Sequence, residues 1–276
     1  MTLTETSSIG LIAGHGRFPI LAAQEARRLG KRVVVCALQG ETDPALEALA
    51  DAFTWVKVGE IGRLVRFFKQ EKVSQALMAG KVEKVRLFQG NVQPDFEMLK
   101  VLMKTRDFKD DSLLGAIADY LGREGIEILD STLFMREALP GEGPLGKKKP
   151  SAALLEEIHF GFSMAKSIAG LDIGQTVVVK KKAVLAVEAI EGTDEAIRRG
   201  GTLGEGGVVV VKVAKPDQDM RFDVPAVGLK TLERLLEVRA EALAFEAGKT
   251  LFVDREEFIR IADQNQLVIF GMKGTS

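Results

Sequence analysis

The feature that narrows the fold furthest is a regular alternation in the first half of the chain. Apolar runs too short for a helix are separated by segments of helical periodicity. The runs are 9–13, 33–38, 53–58, 75–79 and 126–129. After the first of them Ile20, Leu21, Ala23, Ala26 and Leu29 recur at helical spacing. Further helical patterns cover 46–50, 61–71, 95–104 and 112–124, the last opened by the capping-type cluster Asp110, Asp111 and Ser112. Strands that alternate with helices predict a parallel sheet, because each parallel connection must cross over a sheet face and cover it. Residues 1–137 are therefore expected to form a Rossmann-like α/β domain.

At 276 residues the chain exceeds the usual reach of one hydrophobic core, which favours a second domain. Between Pro140 and Pro150 the composition shifts to Pro, Gly and Lys, so residues 138–150 are expected to be a linker. Its triplet Lys147 to Lys149 reads as solvated linker or as a contact for an anionic ligand or membrane surface. Residues 151–276 are expected to form a mixed α/β (α+β) domain. A helix at 151–168 carries Leu154, Leu155, Ile158, Phe162 and Ala165, and strands are expected at 176–179, 183–189, 208–213, 242–245, 250–253 and 267–270. Helices are expected at 231–238 and 255–262. Gly200, Gly201, Gly204, Gly206 and Gly207 read as a long loop before the valine strand.

A net charge of -1 and a pI near 6.3 lack the basic excess of phosphate-neutralising proteins, which argues against nucleic acid as a partner. Cys36, the single cysteine, lies in the run Val33-Val34-Val35 and reads as a buried hydrophobe. His15 and His159 are too few for a closed zinc site. The first residues lack signal-peptide character, and no stretch reaches the roughly 20 apolar residues of a membrane span. The expected location is cytoplasmic, with any lipid met at a surface or in a pocket.

Two stretches could carry chemistry. Gly14-His15-Gly16-Arg17-Phe18-Pro19 sits between a strand and a helix, where glycines let backbone N–H groups approach a phosphate. It reads either as a nucleotide or phosphate contact or as a plain tight turn. The dinucleotide fingerprint is incomplete, since Pro19 replaces its third glycine and Cys36-Ala37-Leu38-Gln39 offers no ribose-binding acid. That weakens a dinucleotide-dependent oxidoreductase, the alternative enzyme class.

The second stretch runs from Lys212 to Pro225 and mixes Lys215, Asp217, Asp219, Arg221 and Asp223 around Pro216; upstream stand Glu188, Glu191, Asp194 and Glu195. Carboxylates beside lysine and arginine suit a hard divalent cation with a polyphosphate. The competing reading makes Thr193 a helix N-cap followed by first-turn acids, and Asp217 and Asp219 a solvated turn. Asp223 and Glu188 are flanked by apolar residues, so half-burial is expected and with it a partner. Phe160, Phe162 and Met164 read as helix core, with an acyl-chain pocket as the alternative.

With Gly10 to Pro19, Asp130-Ser131-Thr132, Glu188 to Glu195, Lys212 to Gly228 and Leu243 to Thr250, the chain resembles the UDP-2,3-diacylglucosamine pyrophosphatase family of lipid A biosynthesis, of the type unrelated to the metallophosphoesterase. The resemblance spans nearly the whole chain. It implies two domains with the substrate held between them, and a Mg²⁺-dependent attack of water on the α-phosphorus that yields UMP and 2,3-diacylglucosamine 1-phosphate. In it Asp223 resembles the essential catalytic carboxylate; from the charge pattern Asp223 is expected to orient the water or ligate Mg²⁺, with Asp219, Glu188 and Glu191 as further candidate ligands. Lys212, Lys215 and Arg221 are expected to neutralise the diphosphate, and Gln218 to contact substrate. The nucleotide is expected against Gly14, Gly16, Arg17 and Pro19 and against Asp130, Ser131 and Thr132, and the acyl chains in the second domain. A homodimer and transient membrane-surface contact complete the expectation, with a non-catalytic nucleotide or lipid sensor as the remaining alternative.

Overall fold

The computed structural model describes residues 8–82, 94–104, 110–222 and 224–274. The chain divides into two compact units. The first comprises Met1–Met135 together with Asp219–Asp223, and the second comprises Arg136–Gln218 and Val224–Ser276.

The first unit is a parallel sheet of β1 (Ser8–Ala13), β2 (Arg32–Leu38), β3 (Ala52–Val56), β4 (Gln75–Ala79) and β5 (Glu127–Ile128), in the order β3-β2-β1-β4-β5. β2 is the run Val33 to Ala37, buried throughout, as a strand covered on both faces requires. Helix α1 (Phe18–Arg28) presents the small residues Ala22, Ala23 and Ala26 and packs against β1, β2 and β4. A 3-10 helix (Pro44–Leu49) follows β2, capped by the Asp43 carboxylate, which accepts from Ala45 N. Helix α2 (Ile61–Gln70) buries Ile61, Leu64, Val65 and Phe68, the i, i+3, i+4, i+7 stripe, in a core shared with Val34, Cys36 and Ala76. Helices α3 (Phe96–Lys104) and α4 (Asp110–Arg123) add Met98, Val101, Ala118 and Leu121 to that core. Cys36 is the inert hydrophobe its sequence context predicts, since burial pushes its thiol up to about 12.

The second unit is built on a mixed sheet in the order β6-β13-β11-β9-β7-β8. Its strands are β6 (Gly143–Pro144), β7 (Thr176–Lys180), β8 (Ala183–Val187), β9 (Val209–Lys212), β11 (Ala242–Glu246) and β13 (Val268–Met272); β10 (Ala226–Val227) and β12 (Leu251–Phe252) form a separate parallel pair. β9, β11 and β13 are parallel, while β6, β7 and β8 run antiparallel to their neighbours. Helix α5 (Ala152–Gly170) covers one face with Leu154, Ile158, Phe162 and Ala165. Helices α6 (Thr193–Gly204), α7 (Leu229–Glu237) and α8 (Arg255–Gln264) belong to the other, where Ile197, Leu232, Leu235 and Phe258 meet Val178, Val210 and Phe245.

Two expectations are corrected here. The stretch 138–150 is no linker, because Gly143 and Pro144 pair antiparallel with β13 as an edge strand, where proline's missing N–H is tolerated. Leu145 N donates to Ile269 O, and Lys147 N and Lys148 Nζ donate to Asp263 and Gln266 O at the end of α8. The glycines 200, 201 and 204 lie inside α6 instead of a loop. A Cβ at Gly200 would stand 2.5 Å from Val178 Cβ, one at Gly201 2.2 Å from Val238 Cβ, and one at Gly204 2.4 Å from Val208 Cγ1. Close packing of α6 on its neighbours thus overrides a propensity cost of about 1 kcal/mol per glycine. The expectation that Phe160, Phe162 and Met164 are helix core holds, with Phe162 in the core beneath α5 and Phe160 and Met164 packed against it.

Candidate functional site

Each unit carries polar residues at the C-terminal ends of its parallel strands, the edge where ligands of open α/β sheets bind. In the first unit β1 ends at Gly14, whose N–H donates to Ala79 O at 2.8 Å. His15 and Lys81 then form an isolated antiparallel bridge, with His15 N to Lys81 O 2.6 Å and Lys81 N to His15 O 3.0 Å. A Cβ on Gly14 would lie 2.5 Å from Lys81 O, so backbone packing alone demands glycine there. Gly16 adopts φ +100° with open space around it, and Arg17 is exposed at the N-terminus of α1 with no side-chain cap; Pro19 is buried in the first turn. The strand ends after β1 and β2 are also tied, because the buried Thr42 hydroxyl donates to Ala13 O.

Asp130, Ser131 and Thr132 follow β5, and they organise protein groups. The Asp130 carboxylate accepts from Thr132 N at 2.7 Å and from Thr132 Oγ1 at 2.6 Å. Ser131 is buried; its N–H donates to Met220 O, and its single hydroxyl proton faces both Met78 O at 2.5 Å and Arg221 O at 2.7 Å. The donors of Ser131 hold the segment Asp219–Phe222. Phe222 packs against the core of the first unit, with the Arg221 guanidinium 4.7 Å above its ring.

Asp219 and Arg221 form a forked ion pair. Arg221 Nε lies 3.0 and 3.1 Å from the two carboxylate oxygens, Nη2 lies 2.7 Å from Oδ2, and Arg221 N donates to Oδ1. The guanidinium holds the Asp219 carboxyl below its ordinary range, and the carboxylate raises Arg221 in return. Asp219 is thus engaged by arginine. Asp223, the expected catalytic carboxylate, lies outside the described residues.

In the second unit β9 delivers Lys212, which is 6% exposed, to the sheet edge. Its Nζ donates to Thr193 Oγ1 at 2.7 Å, and that hydroxyl donates to Glu188 Oε1 at 2.8 Å. Thr193 is the first residue of α6, after Gly192 at φ +85°, which lets the chain turn sharply from β8. Thr176 is directly opposite Lys212 on β7. Its hydroxyl is fully buried and makes no hydrogen bond among the described residues.

Glu191 accepts from Ala189 N at 3.1 Å and pairs with Arg199 at 2.7 Å. Its carboxyl is held low by its own backbone N–H and then by Arg199. Lys215 pairs with Asp172 at 2.7 Å and its N–H donates to the Gln218 side chain, which closes a short turn. Among the described residues no group of three or more His, Cys, Asp or Glu is arranged to hold a metal. The proposed ligands Glu188 and Glu191 belong to the second unit and Asp219 to the first. What the donors offer is oxygen only, carboxylate and hydroxyl, which fits a hard cation that keeps waters and takes one or two protein carboxylates.

Sequence reasoning missed the hydroxyl of Thr193 as a link, because a threonine before two acids also reads as a cap. It did not single out the buried Thr176, Glu41 and Glu246, because burial of a polar side chain is set by the fold and not by its neighbours in sequence.

Residues 8–138 match the family model described as the LpxI N-terminal domain, and residues 141–270 match the LpxI C-terminal domain. A curated relative, the UDP-2,3-diacylglucosamine pyrophosphatase LpxI of Caulobacter vibrioides, is 34% identical over 276 residues, covering 96% of this chain and 97% of the relative. With both domain models matched in order and a relative aligned from end to end, the chain belongs to the LpxI family.

Proposed function

We propose that this protein is a hydrolase that cleaves the phosphoanhydride of UDP-2,3-diacylglucosamine in lipid A synthesis. The observation that carries the reading is the end-to-end similarity to the Caulobacter vibrioides pyrophosphatase, which extends through both units. In the proposed reaction a water oxygen bonds to the α-phosphorus and the bridging P–O bond breaks. The leaving oxygen stays with 2,3-diacylglucosamine 1-phosphate, UMP is the other product, and both protons of the water are released when the two phosphomonoesters are dianions.

Phosphoryl transfer asks the protein for positioning and for charge that compensates the phosphate oxygens. Lys212 suits that role: it is buried at a sheet edge, and its ammonium is directed by the Thr193 hydroxyl. Lys215 and Arg221 are the proposed outer cations, and Gln218 stands at the same turn. Asp223 is proposed to orient the attacking water. Mg²⁺ is proposed as cofactor, taken by oxygen donors that include Glu188 and Asp223; when bound it would supply Lewis-acid stabilisation of phosphate oxygens.

The nucleotide is proposed at the Gly16–Arg17 turn, where Gly16 has open space around it, and at the exposed Asp130. The acyl chains are proposed at the second unit, whose loops expose Leu171, Ile173 and Ile190 at 69%, 48% and 93%. Among the described residues no helix is long and apolar enough to cross a membrane. Substrate collection at a membrane surface, and a homodimeric assembly, are part of the proposal.

Hydrolysis in ¹⁸O-labelled water tests the reading. Label is expected in UMP, with turnover abolished by EDTA and restored by Mg²⁺. Label in the lipid phosphate would contradict attack at the α-phosphorus, and absence of UMP would contradict the activity.

A further inference from the structure

Glu246 is the last residue of β11 and is completely buried. Leu243 and Phe245 face the core beneath α6 and α7, whereas Ala242 and Ala244 face α5. By the alternation of a strand, Glu246 lies on the α5 side, opposite the face that carries Lys212. Its partner there is Lys166 of α5, with Nζ 3.0 Å from Oε2.

The pair does more than neutralise itself. Lys166 Nζ donates to Ala214 O at 2.9 Å, and Ala214 N donates to Glu246 Oε2 at 2.9 Å. Ala214 is where the chain leaves the sheet. β9 ends at Lys212, and Val213 N still bonds Gln175 O. One residue later both backbone groups are taken by the half-buried Lys166 and the buried Glu246 in place of a neighbouring strand. Lys249 Nζ, 44% exposed by side chain, approaches the other oxygen of Glu246 at 3.1 Å. Beyond Ala214 the chain makes the Lys215–Gln218 turn and then supplies Asp219–Asp223 to the first unit.

We propose that Lys166 and Glu246 are positioning residues that fix the root of the charged segment at Ala214, and with it the Lys215–Gln218 turn that follows. The functional consequence rests on the proposed reaction; the anchoring itself does not. A buried ion pair seldom improves stability over a hydrophobic pair of similar volume, so its retention calls for another use. Here the use is visible: a methionine and a leucine could fill the space but could not bind the backbone N–H and C=O of Ala214.

The test compares the full chain with Lys166→Met/Glu246→Leu, a volume-matched replacement chosen to keep the fold, with Glu246→Gln, which keeps an acceptor for Ala214 N–H, and with Lys249→Met. Hydrogen exchange is followed by mass spectrometry on peptides covering 214–222 and on peptides from β7 and β11, alongside kcat and KM for UMP release. The double variant is expected to speed exchange in 214–218 by about tenfold or more, with the strand peptides unchanged. Its kcat should fall about thirtyfold or more while KM stays within about threefold. Glu246→Gln should show a smaller change of the same kind, and Lys249→Met should stay within about twofold in both readouts.

Unchanged exchange at 214–218, a uniform rise across all peptides, or local loosening with kcat intact would each overturn the proposal. If the unsubstituted protein released no UMP, the proposed reaction would fail, and the exchange comparison would still decide whether the pair anchors the segment.

Discussion

Thr193 links a buried ammonium to a carboxylate through one hydroxyl, accepting from Lys212 and donating to Glu188. Thr193→Val keeps the shape and removes the link, so the buried Lys212 and the half-buried Glu188 each lose a partner at a cost of about 1–3 kcal/mol. The expected result is a lower denaturant midpoint and turnover reduced about tenfold or more, with Thr193→Ser recovering most of both. Equal losses in the serine and valine variants would show that the methyl group, not the hydroxyl, matters. The Asp219–Arg221 pair predicts a pH effect. Because arginine holds the Asp219 carboxyl below its ordinary 3.8, the pair stabilises the folded state above that value. This contribution is lost as pH falls through the lower folded-state value. Both groups are partly exposed, so the effect is about 1 kcal/mol or less. Arg221→Gln should therefore differ most from the unsubstituted chain near neutral pH and converge with it below pH 3.8, which denaturant titrations across pH would show. At this scale Glu188 was legible from its apolar flanks, whereas Thr193 was not: cap and bridging hydroxyl look alike until the fold brings Lys212 alongside.

Among elements, α6 shows tertiary packing overruling local preference. Three glycines within five residues signal a loop, yet each stands where a Cβ would collide with Val178, Val238 or Val208. Gly201→Ala gains about 1 kcal/mol in helix propensity but overpacks the contact with Val238, at a cost of about 1–3 kcal/mol. A net fall in the unfolding midpoint is expected, and a rise would contradict the packing argument. The parallel strands of the first unit were readable because burial on both faces leaves continuous apolar runs such as Val33 to Ala37. Residues 138–150 misled because Pro and Gly serve an edge strand as well as a linker, and the choice depends on whether a partner edge such as β13 is free.

For the whole molecule, the least legible feature was the membership of Asp219–Asp223 in the first unit. Nothing local separates them from the second unit's sequence. Only the Ser131 bonds to Met220 and Arg221, and Phe222 in the first unit's core, reveal it. The α/β class and the charged segment were readable; the partners that claim each charge were not, because ion pairs such as Lys215–Asp172 join residues distant in sequence. The central claim is that this segment serves hydrolysis of UDP-2,3-diacylglucosamine. It is tested most directly by measuring UMP release, with Mg²⁺ present, by the unsubstituted protein and by Asp223→Ala at matched thermal stability. Steady UMP release by the former and a loss of about a thousandfold or more in the latter are predicted. No release by the unsubstituted protein, or a variant that turns over at a near-normal rate, would contradict the account.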